Sequence, residues 1–267
     1  MQQFCGVNVI AYYSTSIFEK AGYSRSQALL ASLGGGLINF FFAIPAIYTI
    51  DTFGRRNLLL VGFPLMAFWL AFTGFGFLLP DKSTAQTSMV MTGLYLFMAC
   101  YSPSEGPVPF TYSAEAYPLH IRDIGMSSST AICWGFNFII SFTWPMIEDS
   151  FGQLGGFMWY AAWNVFGWVF TYFLLPETKG LTLEELDSVF GVTNHEHAGY
   201  YSKKLPWYVR KYVMRSDVEP FPELYQFDED DSPIPGSEKP ATSHKEEEGG
   251  PFTRGEVFNP QPQPPTY

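Results

Sequence analysis

The stretch LLLVGFPLMAFWLAFTGFGFLL, from Leu58 to Leu79, decides the fold because it contains no charged residue. At about 1.5 Å of rise per residue, a helix of this length is roughly 30 Å long, the hydrocarbon thickness of a bilayer. A single helix of this kind could also be the buried core of a soluble protein. Five further apolar stretches accompany it, at 4–19, 28–50, 87–112, 126–147 and 155–175. A soluble fold could not cover six such helices, so the sequence predicts an all-α membrane protein.

The composition changes after the sixth apolar stretch, which divides the chain into three parts. We predict six transmembrane helices over 1–176, a short amphipathic helix over 177–193 and a disordered acidic tail over 194–267. Thr182 and Glu185 have the spacing of a capping box at the start of the amphipathic helix. The tail is rich in proline and acidic residues and poor in apolar ones, so it cannot bury a core.

An even number of spans places both ends of the membrane region on one side, but the basic residues do not identify that side. Four flank the spans on one side and three on the other: Arg55, Arg56, Arg122 and Lys179 against Lys20, Arg25 and Lys82.

The sequence gives no support to an enzyme or a metal site. Cys5, Cys100 and Cys133 lie inside apolar stretches without disulfide or metal-ligand spacing, which favours packing roles. No paired acid and base, nucleophile with its base, or glycine-rich phosphate loop is found. We therefore predict no catalytic residue, no metal, no cofactor and no nucleic-acid partner.

Polar side chains inside the apolar stretches are candidate functional residues, because a polar group in hydrocarbon is costly unless it faces a partner or a cavity. Gln2, Gln3 and Asn8 lie in the first stretch. On an ideal helix Gln2 and Gly6 share a face but Asn8 does not, so a break near Gly6 is needed for all of them to line one cavity. The alternative is that these amides join neighbouring helices, at about 1 kcal/mol per bond.

Two more apolar stretches carry amides. Asn39 follows three glycines at 34–36, which permit close approach of another helix. It could bind a ligand or a neighbouring helix. Trp134 and Asn137 are three residues apart and share a helix face, where an indole beside an amide could hold a polyol ring. The alternative for Trp134 is packing or anchoring at the membrane interface.

The fourth apolar stretch cannot remain a regular helix. Its segment Pro103-Ser104-Glu105-Gly106-Pro107-Val108-Pro109 contains three prolines, each of which removes a backbone donor. Carbonyls freed at membrane depth are tolerated only where they are buried in protein or line a cavity. Glu105 lies at this break and could coordinate a substrate, carry a proton or satisfy loose backbone amides.

Mixed charges follow the second, fourth and sixth apolar stretches, on the same predicted side. We predict a gating salt-bridge network there, although exposed loop charges of little energetic consequence are the alternative. Its members are Asp51, Arg55, Arg56, Glu115, Arg122 and Glu177.

Five segments together resemble the sugar porter family of the major facilitator superfamily. Gln2-Gln3-Phe4-Cys5-Gly6-Val7-Asn8 is similar to the family's seventh-helix signature, and the resemblance extends over residues 2 to 190. The other four segments are Tyr12–Gly22, Asp51–Arg56, Glu115–Arg122 and Pro176–Gly180.

The resemblance implies the C-terminal six-helix half, helices seven to twelve, of a twelve-helix fold that moves substrate by alternating access. It maps the family's sugar-contacting positions onto Gln2, Gln3, Asn8, Asn39 and Trp134. It also implies a multi-pass protein of the plasma membrane with the charged clusters and the tail in the cytoplasm. The expected partners are a sugar or polyol, the lipid bilayer and a missing N-terminal half. Whether protons are coupled to transport is left open.

Two positions depart from glucose-type members of the family. Phe110 stands where they have a tryptophan, and Ser102 where they have a sugar-binding glutamate. The segment around Glu105 is closer to fungal members, whose substrates include hexoses, pentoses, disaccharides and quinate-like acids. Because alternating access needs two bundles, we expect this chain to be inactive alone, as a truncated or partnered half. The alternatives are a non-transporting sugar sensor and a pseudogene fragment.

Overall fold

The computed structural model describes residues 1–208, 210–211 and 221, all within one compact unit, Met1–Phe227. These residues form helices and contain no strand, which confirms the all-α fold class. The helices of this part of the chain are α1 Val7–Lys20, α2 Arg25–Ala43, α3 Ala46–Phe53, α4 Arg55–Gly76, α5 Thr84–Tyr101, α6 Val108–Ala116, α7 Arg122–Leu174, α8 Leu183–Gly191 and α9 Asn194–Tyr208.

Breaks within the apolar stretches explain why the helices do not correspond to the spans one to one. Pro45 separates α2 from α3, and the proline-containing segment 102–107 separates α5 from α6. α7 contains both the fifth and the sixth stretch, with a non-helical residue at Gly152 (φ 69°, ψ 179°). By length and composition alone, α2, α4 and α7 are able to cross a membrane.

Side-chain caps fix the beginnings of several helices. Ser24 and Gln27 form a capping box at α2, and the Ser83 hydroxyl accepts a hydrogen bond from the Gln86 amide at α5 (3.1 Å). The capping box predicted for the amphipathic helix is present at α8, between Thr182 and Glu185. Bonds from the backbone and hydroxyl of Thr182 lower the pKa of the Glu185 carboxyl.

The centre of the bundle is α4, which contacts α3, α5, α6 and α7. Its residues Phe63, Met66 and Leu70 are fully buried. Large apolar side chains on the outer helices are exposed instead, among them Leu30 of α2 and Phe138 of α7. An apolar exterior around a packed centre is the pattern of a bundle surrounded by lipid.

The structure differs from the sequence prediction at the beginning of the tail. Residues 194–208 form α9, where a disordered segment was expected. Thr193 and Glu196 cap this helix (hydroxyl to carboxylate, 2.9 Å), and the buried His197 packs on the end of α7. These contacts supply the burial that composition alone did not indicate. The remainder of the predicted tail lies outside the described residues, apart from 210–211 and 221.

Candidate functional site

The chain turns sharply before α1, at the break that the sequence predicts near Gly6. Gly6 has φ 94° and ψ 0°, a left-handed conformation that favours glycine. The Asn164 side chain of α7 donates a hydrogen bond to the Cys5 carbonyl at 3.0 Å and holds this turn. As a result, the Gln2 and Gln3 side chains are buried within the bundle.

Gln3 is the centre of an amide network between α1 and α7. Its Oε1 accepts hydrogen bonds from Asn137 Nδ2 at 3.1 Å and from Asn8 Nδ2. Its Nε2 donates to Cys133 Sγ at 3.0 Å, and the Tyr12 hydroxyl donates to Asn137 Oδ1 at 3.4 Å. The break at Gly6 therefore brings three predicted site residues, Gln3, Asn8 and Asn137, into contact.

Gln2 connects this network to the break between α5 and α6. Pro109 has no N–H group, so the Glu105 carbonyl four residues earlier loses its helical donor. Gln2 Nε2 replaces that donor, at 3.2 Å from the Glu105 carbonyl and 3.3 Å from the Gly106 carbonyl. Its Oε1 accepts a bond from Cys133 Sγ at 3.1 Å. A movement of the break would therefore act directly on the amide network.

The side chain of Glu105 is enclosed beneath this break. The residue is 1% exposed. Its Oε2 atom has no hydrogen-bond partner among the described residues. The sequence leaves three roles open for Glu105. One of them, accepting hydrogen bonds from loose backbone amides, is not observed for Oε2.

A cavity of about 390 Å³ opens beside the network. Gln2, Gln3 and Phe110 line it, together with Phe4 and Trp163. The Phe4 and Trp163 rings pack with centroids 4.5 Å apart. A wall of aromatic rings next to paired amides suits a ring-shaped polar molecule, because the faces of such a ring are apolar and its edge carries hydroxyls.

Asn39 and Trp134 lie away from this cavity. The Asn39 Oδ1 accepts a hydrogen bond from the Ser102 hydroxyl, and Asn39 lines a second cavity of about 160 Å³ between α1, α2 and α5. Trp134 is 60% exposed and lines neither cavity. The structure therefore does not gather all the predicted ligand-binding side chains into one pocket.

The charged clusters meet around Arg55 at one end of the bundle. Arg55 forms ion pairs with Asp51 at 2.9 Å and with Glu115 at 2.7 Å. The Glu177 carboxylate accepts hydrogen bonds from the Arg55 amide (2.9 Å) and from the Asn57 amide (3.4 Å). An anion on the free N–H groups at the start of α4 is favourable, because these groups carry positive partial charge.

Two members of the predicted network have other contacts. The Arg56 guanidinium donates to the Tyr172 carbonyl at 2.8 Å and lies over the Tyr201 ring of α9, 4.0 Å from its centroid. Arg122 donates from Nε to the Tyr117 carbonyl at 3.4 Å. Neither arginine forms an ion pair within the described residues.

A model of the family described as sugar (and other) transporter matches residues 1–190 of this chain. The chain belongs to this family. As a sugar porter of the major facilitator superfamily it is a multi-pass membrane protein, in a family of transporters and not of enzymes. α9 and the residues after it lie beyond the matched region.

Curated relatives of this sugar porter chain include an arabinose-proton symporter of Escherichia coli K12, 36% identical over 191 residues. That alignment covers 70% of this chain and 40% of the symporter. A facilitated glucose transporter of the rat, member 2 of solute carrier family 2, is 36% identical over 189 residues. That alignment covers 36% of the length of the glucose transporter. The chain thus spans about two fifths of the length of these relatives.

Solved structures agree on the fold. A proton:xylose symporter, XylE, bound to 6-bromo-6-deoxy-D-glucose is similar with a TM-score of 0.62 at 31% identity. The similarity covers 71% of this chain and 40% of the symporter. The inward-open xylose transporter of E. coli is similar with a TM-score of 0.56 at 29% identity. The chain therefore has the fold of part of these major facilitator sugar porters.

Sequence reasoning missed three residues of the site. Cys133 bonds both Gln2 and Gln3, although it was interpreted as a packing residue. Its position four residues before Asn137, on the same helix face, was the available signal. Asn164 was detectable as an amide inside an apolar stretch. Trp163 had no local signal, because only the fold of α7 around Gly152 brings it to Phe4.

Proposed function

We propose that this chain forms the C-terminal half of a transporter that moves a sugar or related polyol across a membrane by alternating access. The observation that carries the proposal is the network of Gln2, Gln3, Asn8 and Asn137 beside an aromatic-lined cavity in a bundle of this family. Amide groups both donate and accept hydrogen bonds, so they match hydroxyl groups, which do the same.

The relatives support the substrate class. One is an arabinose-proton symporter, and a similar solved structure is a proton:xylose symporter. The cavity contains both chemistries that a sugar needs, amides for its hydroxyls and rings for its apolar faces. In this proposal Gln3 and Asn137 release some of their mutual bonds to the substrate. Asn39 and Trp134 join the site only after the bundle changes conformation.

The Arg55 cluster supports a gating role at one end of the bundle. Alternating access requires helix ends that hold together in one conformation and separate in another. Arg55, Glu115 and Glu177 join α4, α6 and the segment after α7, so breaking their contacts would free three elements at once. We place this end, with α8 and α9, in the cytoplasm, and the chain in the plasma membrane.

The length of the relatives supports a requirement for a second bundle. The chain spans about two fifths of each curated relative described above. Alternating access requires two bundles that move relative to each other, and a single bundle lacks the second one. We therefore propose that transport needs an N-terminal six-helix half and that this chain alone does not transport.

The test begins with the 5′ end of the transcript, so that the polypeptide assayed is the one that the cell makes. It is expressed in yeast that lack endogenous sugar uptake, and uptake of labelled hexoses, pentoses, disaccharides, polyols and a quinate-like acid is measured. Expression of residues 1–267 alone is the second arm. Uptake of one sugar class by the cellular product and none by residues 1–267 alone is the expected result.

Variants then link uptake to the site. Gln3→Ala and Asn137→Ala each remove a buried hydrogen-bonding group, and we expect the KM for the transported sugar to rise by about tenfold, as for one lost hydrogen bond. The matched control is Ser127→Ala, because Ser127 is exposed on α7 and lines neither cavity. Unchanged KM in both amide variants would remove the network from the substrate site. Sugar binding without uptake would favour a sensor.

A further inference from the structure

Glu105 is a carboxylic acid at membrane depth that is enclosed by this chain's own residues. It is 1% exposed, at the break between α5 and α6. The Gln2 side chain donates a hydrogen bond to the Glu105 backbone carbonyl. Because Oε2 is already inaccessible, another polypeptide or a substrate could not reach it without rearrangement of the break.

No basic side chain among the residues that the structure describes neutralises Glu105. The described residues hold no ion pair to it, and Oε2 has no hydrogen-bond partner among them. The titratable groups that face it are the thiol of Cys5 before α1, the hydroxyl of Tyr101 at the end of α5 and the α-amino group of Met1. An ionised carboxylate enclosed in an apolar bundle without a partner is strongly disfavoured, whereas the neutral acid is tolerated.

We propose that Glu105 is a proton-binding site of this bundle, protonated while the break is closed and ionised when the break opens to water. The proton adds to the carboxylate to give the neutral acid and returns to water from the same oxygen. This inference rests on the proposed function, because it supplies the proton step of a sugar transporter. It assigns that step to a residue in the C-terminal half.

The contacts of Gln2 couple the proton to the substrate. Gln2 Nε2 holds the Glu105 and Gly106 carbonyls, while its Oε1 accepts a bond from Cys133 in the amide network. A substrate that draws the network toward itself therefore pulls on the segment that encloses Glu105. Conversely, ionisation of Glu105 opens the segment to which Gln2 is bound and disturbs the network.

The transport test compares proton flux with sugar flux in the same cells. Sugar addition to cells with the wild-type protein is expected to alkalinise the medium as protons enter with the sugar. Glu105→Gln cannot bind the proton, so the ratio of proton to sugar flux is expected to fall by at least about tenfold. The matched control is Glu148→Gln, which changes an acid paired with Lys20 at the other end of the bundle and is expected to keep the ratio. An unchanged ratio in Glu105→Gln would overturn the proposal.

Two further measurements do not require transport. A pH-jump infrared difference spectrum of the purified wild-type protein in lipid is expected to show a carboxylic acid band that Glu105→Gln lacks and Glu148→Gln retains. The thermal midpoint of Glu105→Gln is expected to match the wild type, since glutamine replaces a neutral acid of the same shape. Identical infrared spectra of the wild type and Glu105→Gln would show that Glu105 does not exchange a proton, and they would overturn the proposal. Absence of any sugar uptake by the wild type would refute the proposed function and leave this test intact.

Discussion

At the start of α4 two consecutive arginines bind different parts of the molecule. Arg55 binds Asp51 and Glu115 in the charged cluster. Arg56 is buried between Tyr172 of α7 and Tyr201 of α9, with its guanidinium 5.5 and 4.0 Å from the two ring centroids. Successive side chains of a helix point about 100° apart. Arg55 therefore binds the charged cluster, while Arg56 packs against α9.

This division of roles predicts that the two arginines can be separated by mutation. Arg56→Gln removes cation–π contacts worth about 0.5–2 kcal/mol and should release α9. Trypsin cleavage after Lys203 and Lys204, which lie in α9, should then be faster than in the wild type. Arg55→Gln is the matched control and should leave this cleavage rate unchanged. Equal rates in the two variants would mean that Arg56 does not hold α9.

The surroundings of His197 predict that the docking of α9 depends on pH. Burial of the ring lowers its pKa, a hydrogen bond to the Phe173 carbonyl (2.8 Å) opposes this, and the nearby Arg56 charge lowers the pKa further. A lowered pKa in the docked state means that the undocked state binds the proton more tightly. The stabilisation is therefore complete above the ordinary histidine pKa of about 6.5 and is lost as the pH falls below it.

The expected result is faster hydrogen exchange of the α9 amides below about pH 6.5 than above it, after correction for the intrinsic pH dependence of exchange. His197→Gln keeps a hydrogen-bonding side chain but cannot become charged. Its α9 exchange should show no such pH dependence. If the dependence persists in the variant, another group controls the docking of α9.

Among the elements, the junction of α3 and α4 depends on a glycine. Gly54 has φ 92° and ψ 159°, a conformation that L-residues with side chains rarely adopt. A β-carbon there would also lie 2.7 Å from the Glu177 carboxyl carbon. Glycine therefore allows the carboxylate to reach the free amides at the start of α4.

Gly54→Ala should destabilise the protein by about 1–3 kcal/mol, because it adds backbone strain and displaces Glu177. A lowered midpoint of thermal unfolding in detergent would show this. Gly36→Ala is the matched control: Gly36 is helical in α2 and a β-carbon there meets no atom within 4 Å. We expect that variant to be as stable as the wild type or more so, since alanine favours helices. Equal losses in both variants would contradict the role of Gly54.

Element-level features were predictable where the cause is local. Three prolines between 103 and 109 break a helix in any context, and the structure has the break between α5 and α6. The break at Gly6 and the capping box at Thr182 likewise follow from short segments. The apolar run lengths were sufficient for the fold class.

Features that depend on tertiary contacts were not predictable. Arg56 has the same sequence context as Arg55, and only the packing of α7 and α9 assigns it to aromatic rings. α9 itself has a polar composition and gains its order from His197 and Tyr201 against α7. Trp134 and Asn137 share a helix face by spacing, yet one is exposed and the other is buried.

At the scale of the whole molecule, alternate connections meet at opposite ends of the bundle. Asp51, Glu115 and Glu177 gather around Arg55 at one end. At the other end Lys20 pairs with Glu148. There the Thr87 hydroxyl also donates to the Ala21 carbonyl at 2.8 Å. Such alternation is what successive membrane crossings produce, and it agrees with the common side predicted for the three charged clusters.

This arrangement predicts which positions a membrane-impermeant thiol reagent reaches from each side. Asp81→Cys and His120→Cys introduce labels at exposed positions before α5 and between α6 and α7. In intact cells Asp81→Cys should react and His120→Cys should not, and inside-out vesicles should give the reverse. The unaltered chain measures the background of its three native cysteines. Reaction of both variants from one side would mean that the connections before α5 and after α6 are not separated by the membrane. The bundle would then lack the two-sidedness that alternating access requires.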